Sequence, residues 1–377
     1  MSERLPLIRP DVRFAEVEDD IRAILASGQL TSGRFVADFE AMVADYVGTE
    51  HGVAVTSATT ALHLALVCGG VKPGDDVLVS DFTFPATANV VVQQGARPIL
   101  VDSRADGFEL DSDDLLARIT PATTAIIAVD PFGQPADHTT LEAIADAHGL
   151  LLIADAACSL GASRDDRRSG SHGDVGCFSF HPRKTITCGE GGMLTTNDAE
   201  LADLARRLRS HGAERTDTGI VFNDAGFNYR LSELQACLGS SQMRRIDEIL
   251  DDRRVTAHEL EARIGQLDGV TVLSSPANAT WSYQSFVVVL DDHIDRAAVI
   301  AHLGEQHIES TIGTYACHQH KAYEAFVGDR PLPNSARYGN QALTLPLVPS
   351  MTEAEIDRVV SALASGLAIH GAQQRAA

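Results

Sequence analysis

The centre of this sequence is an apolar run that leads into a lysine and then into a glycine-rich turn: Phe178-Ser179-Phe180-His181-Pro182-Arg183-Lys184-Thr185-Ile186-Thr187, followed by Gly189-Glu190-Gly191-Gly192. The chain has three lysines against 27 arginines, so Lys184 is conspicuous. An amine that forms a Schiff base must be fixed in place and must lose its proton near neutral pH, which burial and cationic neighbours favour. Lys184 is therefore the first candidate for a catalytic residue. A solvated lysine beside a loop is the alternative.

Length and charge limit the classes of protein to which the chain can belong. With 377 residues it exceeds the usual size of one domain, so we expect a large domain over residues 1–249 and a smaller one over residues 250–377. Its formal net charge of −22 repels phosphate groups. We therefore expect no nucleic-acid partner.

The sequence shows no pattern of a membrane or disulfide-bonded protein. No stretch approaches the roughly 20 apolar residues of a membrane span, and the polar start 1–4 lacks the apolar segment of a signal peptide. The six cysteines are scattered without CxxC pairs, so neither a zinc site nor a disulfide framework is predicted. We expect a cytoplasmic protein without a membrane partner.

Short apolar runs alternate with helical patterns from residue 50 onward. Because short buried strands separated by helices are typical of a mostly parallel sheet covered on both faces, we predict an α/β fold. The predicted strands are 52–55, 77–79, 98–101, 124–129, 150–154 and 286–290. The predicted helices are 61–67, 86–93, 141–148, 233–250, 296–307 and 352–367. Residues 1–50 are predicted to be helical, with a buried face formed by Phe35, Phe39, Met42 and Val43, and residues 371–377 to fray.

Functional sites in such sheets gather at the carboxyl ends of the strands. Three candidates fall there: Phe84, Asp155 and the turn 56–60. The turn leads from a strand into a helix, so its free N–H groups can hold a phosphate, or its hydroxyls can simply cap the helix. Asp155 can pair with a pyridinium N–H or can cap a helix. Phe84 can stack on a flat ring or belong to the core.

Other cofactor and catalytic motifs are missing from the sequence. No GxGxxG follows the first strand, the glycines at 189–192 do not form a Walker loop, and no GxSxG nucleophile elbow occurs. His318 and His320 are a possible metal pair, but two ligands without a carboxylate cluster make a weak site, so no metal is predicted.

Five segments, in this order along the chain, resemble the DegT/DnrJ/EryC1/StrS aminotransferases: Ser57-Ala58-Thr59-Thr60-Ala61-Leu62, Lys72-Pro73-Gly74-Asp75-Asp76-Val77, Asp155-Ala156-Ala157, Phe178-Ser179-Phe180-His181-Pro182-Arg183-Lys184 and Gly226-Phe227-Asn228-Tyr229-Arg230-Leu231-Ser232. The resemblance runs from about Gly28 to about Leu363. It implies a fold-type I enzyme that uses pyridoxal 5'-phosphate (PLP), with a large domain of mostly parallel sheet and a smaller C-terminal α/β domain.

The resemblance also implies a role for individual residues. Lys184 would form the Schiff base with the cofactor and move the proton during transamination. Asp155 would bind the pyridine nitrogen, Phe84 would stack on the ring, and Cys158 would lie beside the ring hydroxyl, where the family often has Gln or His. The phosphate would be held by Ala58, Thr59 and Ser179, and by Asn228 from the neighbouring subunit of a homodimer with shared active sites. The family often has Gly where Ala58 stands.

The implied activity is transfer of an amino group from glutamate to a nucleotide-linked keto sugar by a ping-pong mechanism. The stretch 179–187 looks most like the branch that aminates C4 of 4-keto-6-deoxyhexoses or 4-keto-pentoses. The residues expected on the substrate side are Thr31, Arg230, Tyr315 and His318. The alternatives are a cyclitol aminotransferase, an aminohydroxybenzoate-type dehydratase, and a non-catalytic regulatory protein with the same fold.

Overall fold

The computed structural model describes the backbone of residues 4–374 and the side chains of residues 4–370. Residues 375–377, part of the end that the sequence predicts to fray, lie outside the described range. The helices are α1 (Glu18–Ser27), α2 (Arg34–Val47), α3 (Ala58–Cys68), α4 (Ala86–Gln93), α5 (Ser112–Arg118), α6 (His138–His148), α7 (Ala199–Leu208), α8 (Glu233–Met243), α9 (Ile246–Ile264), α10 (Arg296–Glu305), α11 (Pro333–Gln341) and α12 (Glu353–Gln374). None of these helices is long and apolar enough to span a bilayer.

Eighteen strands accompany these helices in the described range: β1 (His51–Val55), β2 (Asp76–Ser80), β3 (Phe82–Thr83), β4 (Arg97–Val101), β5 (Thr123–Val129), β6 (Leu151–Asp155), β7 (Ser163–Arg164), β8 (Arg167–Arg168), β9 (Val175–Ser179), β10 (Gly192–Thr196), β11 (Ala213–Thr216), β12 (Gly219–Phe222), β13 (Val270–Val272), β14 (Ala279–Thr280), β15 (Phe286–Leu290), β16 (Thr311–Ile312), β17 (Tyr315–Ala316) and β18 (Ala342–Leu345). The predicted alternation of strands and helices is confirmed.

The large sheet contains seven strands in the order β1-β10-β9-β6-β5-β2-β4. The pairs from β9 to β4 are parallel, whereas β10 runs antiparallel to both of its neighbours. Nearly every residue of these strands is buried, because helices cover both faces, as parallel sheets require. The prediction of a mostly parallel sheet is therefore confirmed. The sequence does not reveal that β10, the second strand from one edge, is reversed.

The smaller sheet is C-terminal and has the order β13-β15-β18-β16, with every pair antiparallel. Its apolar face packs with α9, α10 and α12 in a core of its own. Helix α9 crosses the predicted domain boundary at residue 250. Ile246, Ile249 and Leu250 pack with the large domain, whereas Leu260 and Ile264 pack with the small one.

Two sequence predictions of helices are wrong. The helix predicted over 233–250 is interrupted after Met243, and α9 begins only at Ile246. Residues 4–13 are extended rather than helical, because Pro6 and Pro10 cannot continue a helix. In this segment Leu5 forms a parallel bridge with Ile308 of the small domain. Of the predicted buried face of α2, Phe39 and Val43 are fully buried, whereas Phe35 and Met42 are partly buried.

Segments of the C-terminal part return to the large domain near the carboxyl edge of its sheet. Strand β17 pairs with β3, and β14 pairs with β7. Residues 281–285 then lie against the 3₁₀ turn Pro131–Gly133 that follows β5. These contacts bring C-terminal residues close to the ends of β5, β6 and β9.

Candidate active site

The candidate site lies where β1, β6 and β9 end at one edge of the large sheet. The antiparallel strand β10 begins at that edge, since Gly192 pairs with Val55 of β1 and with Ser179 of β9. Strand β6 ends at Asp155, which pairs with Cys177 of β9. The predicted gathering of candidate residues at the carboxyl ends of strands is therefore observed.

Asp155 is buried at the end of β6, with 5% of its surface exposed. One carboxylate oxygen accepts a hydrogen bond from Thr87 Oγ1 at 2.8 Å, and the other accepts one from the amide of Ala157 at 3.2 Å. Burial nevertheless raises the pKa of this carboxyl group above its ordinary value, although the hydrogen bonds and Lys184 oppose the rise. A cationic N–H group would therefore be a favourable partner for Asp155.

Lys184 lies on the turn that follows β9. Its backbone amide donates to the carbonyl of His181 at 2.9 Å, and its Nζ donates to Cys158 Sγ at 3.0 Å. Cys158 belongs to the turn after β6, three residues beyond Asp155. The structure thus brings together the amine, the thiol and the buried carboxylate that the sequence places in two separate segments.

The turn between β1 and α3 has the form of an anion site. Ser57 caps α3, because its Oγ accepts from the amide of Thr60 and Thr60 Oγ1 accepts from the amide of Ser57. No hydrogen-bond acceptor among the described residues is assigned to the amides of Ala58 and Thr59. These two amides at the positive end of the helix dipole remain available for a phosphate.

Gly192 packs directly against this turn. A Cβ atom built on Gly192 would lie 2.3 Å from the backbone C and O atoms of Ser57 and 2.7 Å from the amide of Ala58. Only glycine therefore fits at the start of β10. Ser179, its partner on β9, brings its hydroxyl to the same edge, where the Oγ accepts from the amide of His181 at 3.4 Å.

An aromatic and histidine cluster lies on the pair β3–β17. Phe84 is 65% exposed, and its ring centroid lies 6.3 Å from that of Tyr315. His318 is held by the fully buried Asp81, whose Oδ2 is 2.6 Å from the His318 Nδ1 and whose Oδ1 accepts from the His318 amide at 2.8 Å. Asp81 raises the pKa of His318 above its ordinary value of 6.5. The exposed ring of Phe84 is free to stack on another flat group.

The remaining predicted residues lie around the β1 end of the site. Arg230 forms a backbone bridge with Val55, the last residue of β1, and Thr31 forms one with Ser232. Asn228 is exposed and bridges Ser210 through its backbone. No hydrogen bond to the Asn228 side chain occurs within the described part of this chain.

Several residues that shape the site were not identified from the sequence. Thr87 ties Asp155 to β3, since its Oγ1 is also 3.0 Å from Thr83 Oγ1. Buried Asp130 accepts from Ser159 Oγ at 2.7 Å and so fixes the turn that carries Cys158. Thr83 ends β3 whereas Thr87 lies in the first turn of α4, so no single periodicity in the sequence reveals this pair.

Together these groups fit PLP. The turn before α3 offers amides for a phosphate, Asp155 offers a carboxylate for a pyridinium N–H, Phe84 offers a ring face, and Lys184 offers an amine. Asp155 supplies the decisive observation, because burial raises the pKa of its carboxyl group and a cationic N–H partner would offset that effect.

Comparison with known proteins agrees with this geometry. Residues 13–364 match the DegT/DnrJ/EryC1/StrS aminotransferase family. The chain belongs to this family. Its enzymes depend on PLP, so the chain is a PLP-dependent aminotransferase of fold type I, and the resemblance seen in the sequence is confirmed.

Three relatives of the family are informative. The GDP-perosamine synthase of Caulobacter vibrioides is 40% identical over 334 residues, which cover 88% of this chain and 90% of the relative. S. venezuelae DesV, solved in complex with a ketimine intermediate, is 31% identical with a TM-score of 0.91, covering 97% of this chain and 98% of DesV. DesI, solved in the presence of its TDP-sugar product, is 30% identical with a TM-score of 0.91, and the match covers 100% of this chain and 96% of DesI.

Proposed function

We propose that this aminotransferase moves an amino group from glutamate to a nucleotide-linked keto sugar, with C4 of a 4-keto-6-deoxyhexose as the acceptor carbon. The observation that carries the proposal is the convergence of Lys184, Cys158 and buried Asp155 at the carboxyl edge of the sheet. The printed names of the GDP-perosamine synthase and of DesI with its TDP-sugar product support the substrate class.

The residues of the site divide the tasks of this reaction among them. When bound, PLP supplies an electrophilic carbon and an electron sink. Lys184 Nζ holds the cofactor and, once displaced by an amine, carries the proton to and from the substrate carbon. Asp155 keeps the ring N–H in place, and Phe84 covers a ring face. Cys158 Sγ accepts a hydrogen bond from the free Lys184 amine and so keeps Nζ at the site before the cofactor binds.

The phosphate is held at the end of β1. The amides of Ala58 and Thr59 donate to it, and Ser179 adds a hydroxyl. Donor and acceptor substrates use the same lysine in turn, so the proposed kinetics are ping-pong.

The substrate side of the proposed site is formed by two residues of the small domain, residues 250–377, and by two residues on the β1 side. Tyr315 lies beside Phe84, and His318 carries its positive charge to higher pH than an ordinary histidine because Asp81 is buried against it. A cationic imidazole suits the diphosphate of a nucleotide sugar. Thr31 and Arg230, on the β1 side, complete the proposed substrate residues.

The proposed active enzyme is a homodimer. Asn228 is exposed and leaves its amide unused within the described chain, while Ile220 and Phe222 on the neighbouring hairpin are 58% and 67% exposed. Apolar side chains beside an unused polar group suit a subunit interface. In this arrangement Asn228 reaches the phosphate in the site of the other subunit.

Mixed subunits test the shared site. The variants Lys184→Ala and Asn228→Ala are each expected to have little activity. A heterodimer of the two has one site with both substitutions and one intact site, so random mixing should restore about a quarter of the wild-type activity. Failure of the mixture to exceed the sum of its parts, although heterodimers form, would refute the shared site.

The activity itself is tested first by the visible absorption spectrum with and without glutamate. A band that bleaches with glutamate, and returns with a nucleotide-linked keto sugar, is the expected result, and Lys184→Ala should lose the band. A band that ignores glutamate but responds to a cyclitol or dehydration substrate would favour the other reactions. Absence of any band after addition of PLP would favour a non-catalytic protein.

A further inference from the structure

A short segment between β14 and β15, residues Trp281–Ser285, touches both turns that carry the catalytic groups; we refer to it as the strap. The amide of Ser282 donates to the carbonyl of Gly133 at 3.0 Å, and the amide of Ser285 donates to that of Phe132 at 3.3 Å. A Cβ atom on Gly133 would lie 2.5 Å from Ser282 Oγ and 2.8 Å from the amide of Gln284. The strap therefore packs against the sheet edge without room for a side chain between them.

Arg253 of α9, which is partly buried, holds the strap from the other side. Its Nε and one terminal nitrogen donate to the carbonyl of Tyr283 at 2.9 and 2.8 Å, and that nitrogen also donates to the carbonyl of Gln284 at 2.7 Å. Tyr283 has a φ of 46°, a conformation that costs free energy and persists only when the surroundings impose it. Burial lowers the pKa of Arg253 to about 10. The guanidinium group is thus partly removed from solvent and binds the backbone of the strap.

The strap reaches the lysine turn through Gln284. This side chain is 6% exposed, and its Nε2 donates to the carbonyl of Arg183 at 2.5 Å. Ser282 Oγ donates to the carbonyl of Cys158 at 3.4 Å, so the strap also touches the turn after β6. The Arg183 carbonyl belongs to the peptide group that ends at the nitrogen of Lys184.

Another glutamine anchors the far end of the same turn. Gln242 of α8 accepts from the amide of Thr187 at 3.0 Å and donates to its carbonyl at 2.7 Å. The lysine turn is therefore held at two points, and Gln284 is the anchor directly beside Lys184. This placement bears on the reaction, because Nζ must stay within reach of both the cofactor carbon and the substrate carbon.

We propose that Gln284 is a positioning residue for Lys184, with Arg253 as its support. The proposal rests on the proposed function, in which Lys184 Nζ transfers the proton. Loss of the Gln284 donor frees the Arg183 carbonyl and lets the lysine turn shift. A displacement of about 1 Å at a catalytic group can reduce the rate by roughly 10²-fold.

The test compares two glutamines that make the same kind of bond. Gln284→Met removes the donor to Arg183, and the matched control Gln94→Met removes a donor to the carbonyl of Val71 at 2.8 Å, away from the site. For each holoenzyme we would measure kcat, KM, the pH midpoint of the visible band and the melting temperature. Borohydride reduction followed by peptide mass analysis would report the cofactor trapped on Lys184.

The expected result distinguishes a positioning role of Gln284 from a role in fold stability alone. Gln284→Met should lower kcat by roughly 10- to 100-fold, leave KM within about twofold and shift the pH midpoint of the band. Gln94→Met should change only the melting temperature. If Gln284→Met is insoluble, Gln284→Asn can replace it, because it keeps the amide but shortens its reach. The same fall in kcat and the same shift in the pH midpoint are expected for this variant.

Two different failures can be distinguished. Wild-type kcat and an unshifted pH midpoint in Gln284→Met, with a melting temperature lowered as in the control, would overturn the positioning role and leave the proposed function intact. Absence of trapped cofactor on Lys184 in the wild-type protein would instead overturn the proposed function.

Discussion

Replacement of Gly192 by alanine tests the phosphate site most directly. The added Cβ would lie 2.3 Å from the C and O atoms of Ser57, where ordinary contacts begin at about 3.4 Å. Because these are backbone atoms, no side chain can rotate away. Strand β10 and the turn before α3 must therefore separate by roughly 1 Å, which takes the amides of Ala58 and Thr59 out of hydrogen-bond range of a bound phosphate.

The magnitude follows from the bonds that are lost. A hydrogen bond to a charged group contributes about 1.5–3 kcal/mol, so two lost amides weaken binding by roughly 3–6 kcal/mol. The dissociation constant of PLP should rise by roughly 10²- to 10⁴-fold. The fold itself should lose about 1–3 kcal/mol from overpacking.

The assay is titration of the cofactor-free protein with PLP, followed by visible absorption. Gly304→Ala in α10 is the matched control, since its added Cβ would meet no atom within 4 Å, and its dissociation constant should equal that of the wild type. A folded Gly192→Ala protein that binds PLP within threefold of the wild type would show that the amides before α3 do not hold the phosphate.

Three further predictions concern Asp155, His318 and Leu303. Asp155→Asn removes the carboxylate proposed to pair with the ring nitrogen and should lower kcat by at least roughly 10²-fold, measured in single turnovers; a loss below fivefold would contradict this role. Because the pKa of His318 is raised in the folded protein, His318 stabilises the fold below its ordinary pKa of 6.5 and this stabilisation is lost as the pH rises through the folded value. Urea unfolding should therefore show the stability advantage of the wild type over His318→Gln shrinking from pH 6 to pH 9, and a constant difference would refute the assignment. Leu303→Ala empties a fully buried position in the small-domain core and should cost about 2–5 kcal/mol in the same assay without changing KM; a cost below 1 kcal/mol would contradict the packing.

The sequence predicts the site better than it predicts the surroundings of the site. Lys184, Asp155 and the turn before α3 are found because each follows an apolar strand, and strand ends meet at one edge of a parallel sheet. Gln284 and Arg253 lie 100 and 69 residues beyond Lys184 in the sequence, and neither belongs to a motif. Their importance depends on which backbone carbonyls they reach, and that is decided by tertiary packing.

Some features of the fold are also missed because local sequence patterns do not record tertiary packing. The break between Met243 and Ile246 contains no proline or glycine, so periodicity alone predicts one continuous helix. The reversal of β10 leaves no trace in its composition, since a buried strand is apolar in either direction. By contrast, Pro6 and Pro10 are themselves a sequence signal against a continuous helix at the start of the chain.

The pairing of β1 with β10 has a consequence for the order in which the enzyme matures. His51 pairs with Thr196, so the strand that leads into the phosphate turn is synthesised some 140 residues before its neighbour. At about 5–20 residues per second, β1 spends roughly 7–30 s on the ribosome without a partner strand. The strap is made later still. The groups proposed to hold PLP are therefore complete only when nearly the whole chain has been synthesised, so we expect the cofactor to bind after folding rather than to nucleate it.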